Sequence, residues 1–379
     1  NYPLLDGRVQ TCPHLLLEGQ RTNLFTYSED FSNVSWLKTD LNVTTNQNVS
    51  PSGILDADLI TEGSANNRHR FYNSQPKSAS SLDYTFSVFI KNNIGNRNIR
   101  LSFEGSTAGQ KATVVYNTNG VIVTPVSVTS GFSNASTKAE LINGYWRLSI
   151  SATSNSDSVI LSLVLLTDGT SDVYQGDGTS GVYIWGAQLE EGSYSTSYIV
   201  SNSGSATTRL AEVCDGSGNA STFNDSEGVL FAQIGALAND GNRYIALTNG
   251  VANSYTIRIL YQNETGYVFF QKYVNGVRTT NLSTSIITPN NSNKIAIRYN
   301  STSIDVWLNG LSILTNSDTN VIPLNTLNVL AFDNGSLPFY GKTKQLQYFD
   351  SALTDSELET LTSWMSFSDM AIDLNYTIQ

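Results

Sequence analysis

Short stretches in which apolar and polar side chains alternate are the feature that most restricts what this chain can fold into. Tyr84, Phe86, Val88 and Ile90 keep one phase of a period of two, with Thr85, Ser87 and Lys91 in the other. Trp146, Leu148 and Ile150 alternate with Arg147, Ser149 and Ser151. Tyr255, Ile257, Ile259 and Tyr261 make a third stripe, and Ile295, Ile297 and Tyr299 a fourth. A strand turns successive residues to opposite faces, so such runs read as half-buried β-strands. Turn signals separate them: Asn92-Asn93-Ile94-Gly95, Asn117-Thr118-Asn119-Gly120, Asp168-Gly169, Asn275-Gly276, Asn309-Gly310 and Asp333-Asn334-Gly335. Many short strands about ten residues apart predict a sandwich or barrel rather than βαβ units. One helix is legible near the C-terminus. Thr354 and Glu357 make a capping box, and Leu358, Leu361 and Met365 follow at helical spacing.

At 379 residues the chain exceeds what one core usually fills, about 250–300 residues, so two domains are expected. The polar, aperiodic run Asn202–Thr208 is the natural seam. It divides the chain into a lead-in segment over residues 1–21, a first sandwich over 22–204 and a second over 205–379. The lead-in carries Pro3, Pro13 and the run Leu15-Leu16-Leu17, and reads as a strand rather than a domain. The chain opens at Asn1 without Met or a signal-like apolar run, and is expected to be a fragment or processed product with an anchoring region upstream.

Charged residues are 14% of the chain, against a usual ~25%, and Ser, Thr, Asn and Gly fill the gap. The net charge is −11. Binding to nucleic acid needs a basic stripe to displace counterions, and the largest basic cluster is Arg68-His69-Arg70, so that partner is not expected. No run approaches ~18 apolar residues, so no membrane span is expected either. Cys12 and Cys214 belong to no CxxC pair. They either pair with each other or stay as two buried thiols.

Nucleophilic catalysis by Ser or Cys calls for a histidine base. His14 and His69 sit in no GxSxG or HExxH motif. Glycoside hydrolysis needs two carboxylates, and Asp56/Asp58, Glu190/Glu191 and Glu357/Glu359 are the close pairs. None is flanked by the aromatic residues that would form a sugar pocket, so no catalysis is expected. Asp168, Asp172 and Asp177 put three carboxylates within eleven positions. They read either as loop oxygens for a structural Ca2+ or as ordinary Asp-Gly turn chemistry.

Aromatic side chains offer the second kind of binding chemistry, since sugar faces stack on rings while amides and carboxylates bind hydroxyls. There are five Trp, 19 Tyr and 15 Phe, and most must fill cores. In Ser303–Asn309 the aliphatic stripe is Ile304, Val306 and Leu308, which leaves Trp307 in phase with Asp305 and Asn309. These three are candidate glycan-binding residues, with packing against a loop or a neighbouring subunit as the alternative. Trp146 and Trp185 read as core. Trp36, beside a polar segment, is a further glycan-binding candidate.

Three segments together resemble a known family: Leu15-Leu16-Leu17-Glu18-Gly19-Gln20-Arg21-Thr22-Asn23-Leu24 with Tyr27–Phe31 and Trp36; Gly144-Tyr145-Trp146-Arg147-Leu148; and Gly176–Glu190 with Tyr198-Ile199 and Thr208–Ala211. Over residues 12–213 this resembles the carbohydrate-binding-module-like jelly-roll domain of phage tail, collar and head-fibre proteins. The second half resembles a concanavalin A/laminin-G-type lectin sandwich, in Gly228–Phe231, Lys294–Asn300, Val306–Gly310 and Gln347–Leu358. The resemblance implies an all-β chain of two tandem antiparallel jelly-roll β-sandwiches with one short C-terminal helix. It implies a non-enzymatic fibre or spike component on the surface of a bacteriophage virion, adhering to host cell-surface polysaccharide beside other virion proteins. A homo-oligomer, by analogy a trimer, would multiply weak sites. Two alternatives stay open: a structural decoration protein that binds no sugar, and the accessory binding region of a secreted polysaccharide-degrading enzyme. Of the sites, Trp307 makes the sharpest prediction. As a sugar platform its change to Ala weakens glycan binding and spares the melting temperature; as packing, it costs stability.

Overall fold

The computed structural model describes residues 15–155, 158–239, 241–262, 266–285, 288–331 and 337–374. Cys12 and His14, and with them the proposed thiol pairing, lie outside the described residues. Among those described, residues 20–210 form one compact unit, and residues 211–374 with 15–19 form another.

In the N-terminal unit two antiparallel six-stranded sheets share one core. The first runs in the order Phe132–Ile142, Tyr145–Ser154, Leu82–Ile94, Gly181–Glu191, Leu55–Glu62, Leu41–Val49. The second runs Ile122–Val128, Lys111–Tyr116, Asn98–Glu104, Val159–Thr167, His69–Pro76, Leu37–Thr39. Neighbours in each sheet are often distant in sequence, as a jelly roll requires. The stripe Tyr84, Phe86, Val88, Ile90 faces inward with Leu148 and Ile150, and meets Ile99, Leu101, Phe103 and Val164 of the other sheet. Phe86 and Phe103 bridge the sheets with ring centroids 6.5 Å apart. The core is closed at one end by Trp36, whose ring lies 4.8 Å from Phe25, 5.2 Å from Phe31 and 5.5 Å from Phe71.

One carboxylate sits in this apolar setting. Asp58 is buried and accepts hydrogen bonds from the backbone N–H of Phe31 and of Asn46, both at 3.1 Å. Burial pushes its pKa up to about 6, against the pull of those two bonds and with a push from Asp30 and Asp56.

The C-terminal unit is a second sandwich. Its six-stranded sheet runs Leu15–Leu17, Gly341–Phe349, Gly228–Ala236, Asn293–Tyr299, Ser303–Leu308, Leu311–Ser317. The five-stranded sheet runs Val277–Thr284, Val268–Val274, Thr256–Tyr261, Arg243–Thr248, Val329–Ala331. Leu230, Ile297 and Val306 of one meet Ile245, Ile257 and Phe270 of the other. The strand from the lead-in segment thus belongs to this unit's sheet, with Leu17 in the core. Hairpins form at Asn275-Gly276 (φ 51° and 79°) and Asn309-Gly310 (φ 52° and 89°), the left-handed pair that suits a two-residue turn.

Among the described residues two helices, not one, follow the last strand: Asp355–Thr362 and Phe367–Asp373. The first carries the expected capping box between Thr354 and Glu357. The second escapes the sequence because its seven residues, Phe367–Asp373, bury only Ala371 and so show little apolar stripe. The first helix packs on the outward face of the six-stranded sheet, where Leu358 meets Val229, Phe231, Ala296 and Trp307. Arg298 ties it down by bonding Asp305 in the sheet and Asp355 in the helix's first turn. Among the described residues no helix is long and apolar enough to cross a membrane.

Two measurements follow. Trp36→Ala empties a space among three phenylalanines and should cost about 3–5 kcal/mol, seen as a lowered denaturant midpoint; a loss below ~1 kcal/mol would show that the ring is not core. Asp58 binds its proton more tightly folded than unfolded, because its folded pKa lies above the ordinary 3.8. Its contribution is therefore complete below that value and lost as pH rises through about 6. The melting temperature of the wild type relative to Asp58→Asn should rise as pH is lowered through this window. A flat difference would contradict the burial of the charge.

Candidate functional site

The inner faces of the first sheet are consumed by the core, so its outer face decides what the N-terminal unit can bind. Register sets Arg147, Phe89 and Trp185 side by side on that face, with Lys91 opposite Tyr183 in the next row. Phe89 and Trp185 meet edge to face at 5.3 Å, and Tyr198 lies 4.5 Å from Trp185. Lys91 Nζ stands 5.4 Å from the centre of the Tyr145 ring and donates to Asn48 Oδ1 at 3.2 Å. Tyr145 donates to the same oxygen at 3.3 Å. Its hydroxyl is pushed up to about 12 by burial, then by Tyr183 and Asp56, which places that carboxylate's charge in the same neighbourhood. Trp185 Nε1 and Asp56 Oδ1 are buried and make no hydrogen bond among the described residues.

Two segments frame this face. The turn after Leu41–Val49, closed by Ser50 N–H to Ile54 O at 2.8 Å, reaches the hairpin before Tyr145, where Asn143 Nδ2 donates to Pro51 O at 2.9 Å. Two strands separate Leu55–Glu62 from Tyr145–Ser154 in the sheet, so this contact arches over the outer surface. On the other side, residues 193–201 lie across the sheet. Buried Glu190 accepts from Thr196 N (2.9 Å) and Oγ1 (2.7 Å), and Gln188 Oε1 accepts from Ile199 N (2.7 Å). Arg147 Nη1 adds a bond to Thr196 O at 2.6 Å. Lys91, Asn48, Asp56 and Tyr183, between the two frames, are all half-buried.

Trp185, read as core from the sequence, is 4% exposed and packs in an outer-face cluster with Phe89 and Tyr145; sequence reasoning passed over Phe89. The signal was present in Phe89, an aromatic residue in phase with Thr85, Ser87 and Lys91 rather than with the apolar stripe. The strand Gly181–Glu191 hides its share because it is buried on both faces.

The glycan candidates named from the sequence turn out to be framework. Trp307 is 7% exposed, sealed between the sheet and the first helix, and has no open ring face to offer. Asp305 is buried, held by Arg298 Nε at 3.0 Å and Nη2 at 2.9 Å. Asn309 forms the hairpin: its Oδ1 accepts from Lys294 N at 2.9 Å and its Nδ2 donates to Asn293 Oδ1 at 3.1 Å. Trp36 is 1% exposed and donates its indole N–H to Tyr27 O at 2.8 Å. Alternation identified the face of Trp307 but could not show that a helix covers it.

The three aspartates proposed for Ca2+ are divided between two arginines. Arg97 grips buried Glu62 with two bonds of 2.8 Å and stands 3.3 Å from Asp168 and 3.6 Å from Asp177. Asp172 pairs with Arg100 instead. Asp177 also caps its own turn, accepting from Ser180 Oγ and N and from Thr179 N, which holds its carboxyl well below the usual range. Tyr174 Oη donates to Glu62 at 2.6 Å and Asp177 N at 2.8 Å, so the loop between them is locked to the sheet. Burial would raise the Glu62 pKa, yet Arg97, Tyr174 and the Asp177 amide together hold it lower. These carboxylates serve as counter-ions and caps. Among the described residues no group of three or more His, Cys, Asp or Glu side chains could hold a metal.

No family model and no curated protein matches the chain. Similar solved structures include the CBM40 of the Ruminococcus gnavus IT-sialidase bound to α2,3-sialyllactose, at 16% identity and TM-score 0.31, covering 40% of this chain and 95% of its own. A heptameric SAP-like pentraxin from Limulus polyphemus shows 16% identity and TM-score 0.31, covering 37% of this chain and 71% of its own. Domains LG4-5 of the mouse laminin α1 chain show 11% identity and TM-score 0.26, covering 93% of this chain and 96% of their own. Such likenesses carry nothing about ligands, and what this chain binds has to be read from its own residues.

Arg97→Met leaves Glu62 buried beside one phenol and one amide. It should cost about 3–5 kcal/mol, the loss expected when one partner of a buried pair is removed. An unchanged midpoint would show that the loop stands without this pair.

Proposed function

We propose that the chain is a non-enzymatic glycan-binding protein that engages saccharide on the outer face of the N-terminal sandwich. One observation carries this reading: half-buried Tyr183, Lys91, Asn48 and Asp56 lie together over a buried bed of Tyr145 and Trp185. Rings supply area to an apolar sugar face at low entropic cost, and the ammonium, amide and carboxylate groups supply direction for its hydroxyls. The buried acids Asp58 and Glu190 are engaged by protein donors, consistent with structural rather than catalytic work.

The fuller form of the proposal follows the motifs in residues 12–213. The chain is a surface component of a bacteriophage virion, a fibre or spike, and adheres to host polysaccharide alongside other virion proteins. Weak individual sites then gain strength from several copies in one particle.

A glycan array probed with the whole chain tests the reading, followed by titration of the best saccharide. Lys91→Ala and Tyr183→Ala should each weaken binding roughly tenfold, about 1.4 kcal/mol, with little change in melting temperature, since both residues are half-buried. Absence of any bound saccharide, or binding indifferent to both changes, would remove the proposal.

A further inference from the structure

The outer face of the five-stranded sheet in the C-terminal unit holds an arginine whose partners are all neutral. Ile257, Ile259, Phe270 and Ile245 point into the core, so register turns Arg258 outward between Ala246 and Gln271. Its Nε donates to Gln271 Oε1 at 2.7 Å, Nη1 to Asn253 Oδ1 at 2.8 Å and Nη2 to Tyr273 Oη at 3.0 Å. The guanidinium lies 5.2 Å from the centre of the Tyr244 ring and 4.9 Å from that of Tyr273. Gln271 is itself fixed by donating to exposed Asn281 at 2.7 Å.

Arg258 is 7% exposed, yet among the described residues no carboxylate forms an ion pair with it. A charge of the same sign acts on it: exposed Arg278 stands opposite Tyr273 in the neighbouring strand. Burial lowers the Arg258 pKa, the two tyrosines counter this, and Arg278 lowers it further. An arginine cannot escape by losing its proton, so the charge stays and is poorly compensated. By contrast Arg97 pairs with Glu62 and Arg298 with Asp305. In a protein of net charge −11 an acid here would be easy to supply.

The guanidinium is also oriented and incompletely used. Of its five N–H groups three are engaged, which leaves one on each terminal nitrogen, the fork that suits a two-oxygen anion. Tyr273 and Asn281 lie at the surface beside it. We infer that Arg258, flanked by Tyr244 and Tyr273, is a second ligand site that takes the carboxylate or sulfate of an acidic saccharide. This rests on the glycan-binding reading but on different residues, in a different unit.

The test is calorimetric titration of the whole chain with three probes: an oligogalacturonate, its methyl ester, and a sulfated oligosaccharide. The wild type should bind one of the two anionic probes and bind the ester at least tenfold more weakly. Arg258→Met should lose that anion-dependent binding without a fall in melting temperature, because it removes a cation lacking a counter-charge. Arg258→Lys keeps charge but not the fork, and should weaken binding roughly tenfold; it also serves if the Met variant does not fold. The assignment is overturned if neither anionic probe binds, if ester and acid bind alike, or if both variants bind as the wild type does. Saccharide binding that depends on Lys91 should persist in Arg258→Met, so the two readings fail separately.

Discussion

A strand shows its residues to two sides, and that constraint governs everything in this molecule. Each of the four large sheets spends one face on a core, and something must be done with the other. The six-stranded sheet of the C-terminal unit covers its outer apolar row, Val229, Phe231, Ala296 and Trp307, with the helix Asp355–Thr362. The sheet of the N-terminal unit that carries Tyr145 and Trp185 covers only part of its outer face, under residues 193–201 and the turn at Ser50–Ile54. What remains there is aromatic and hydrogen-bonding at once. The five-stranded sheet of the C-terminal unit presents Arg258 between two tyrosines.

Much of the fold was legible because the inner faces obey a simple rule. The stripes at Tyr84–Ile90, Tyr255–Tyr261 and Ile295–Tyr299 all lie in cores, and the turns at Asn275-Gly276 and Asn309-Gly310 take the backbone their residues favour. The candidate site was much less legible. Out-of-phase aromatics do mark outer faces, as Phe89 and Trp307 both show. Whether an outer face is open depends on distant segments, and periodicity is blind to them. Trp307 lies under a helix some fifty positions later, and Phe89 is covered by Trp185, Tyr198 and Arg147. Nothing local in sequence foretells either cover.

Charge tells a similar story. Asp168, Asp172 and Asp177 look like a ligand set when written in a line, but Arg97 and Arg100, brought in by the strand Asn98–Glu104 and the connection before it, claim them. Buried acids here meet arginines, amides or hydroxyls, and each such meeting fastens a loop to a sheet. Arg258 is a fixed cation held by an amide, a second amide and a phenol. Its neighbours orient it without neutralising it, which is the state of a group kept ready for a partner.

The central claim is that partly uncovered outer sheet faces, not loops at the sandwich ends, bind saccharide. The most direct measurement is a crystal structure of the whole chain with the oligosaccharide it retains most tightly. A sugar ring should lie against Tyr183, within hydrogen-bonding distance of Lys91 and Asn48. Saccharide lodged instead on end loops, with the Lys91 and Tyr183 side chains untouched, would contradict it.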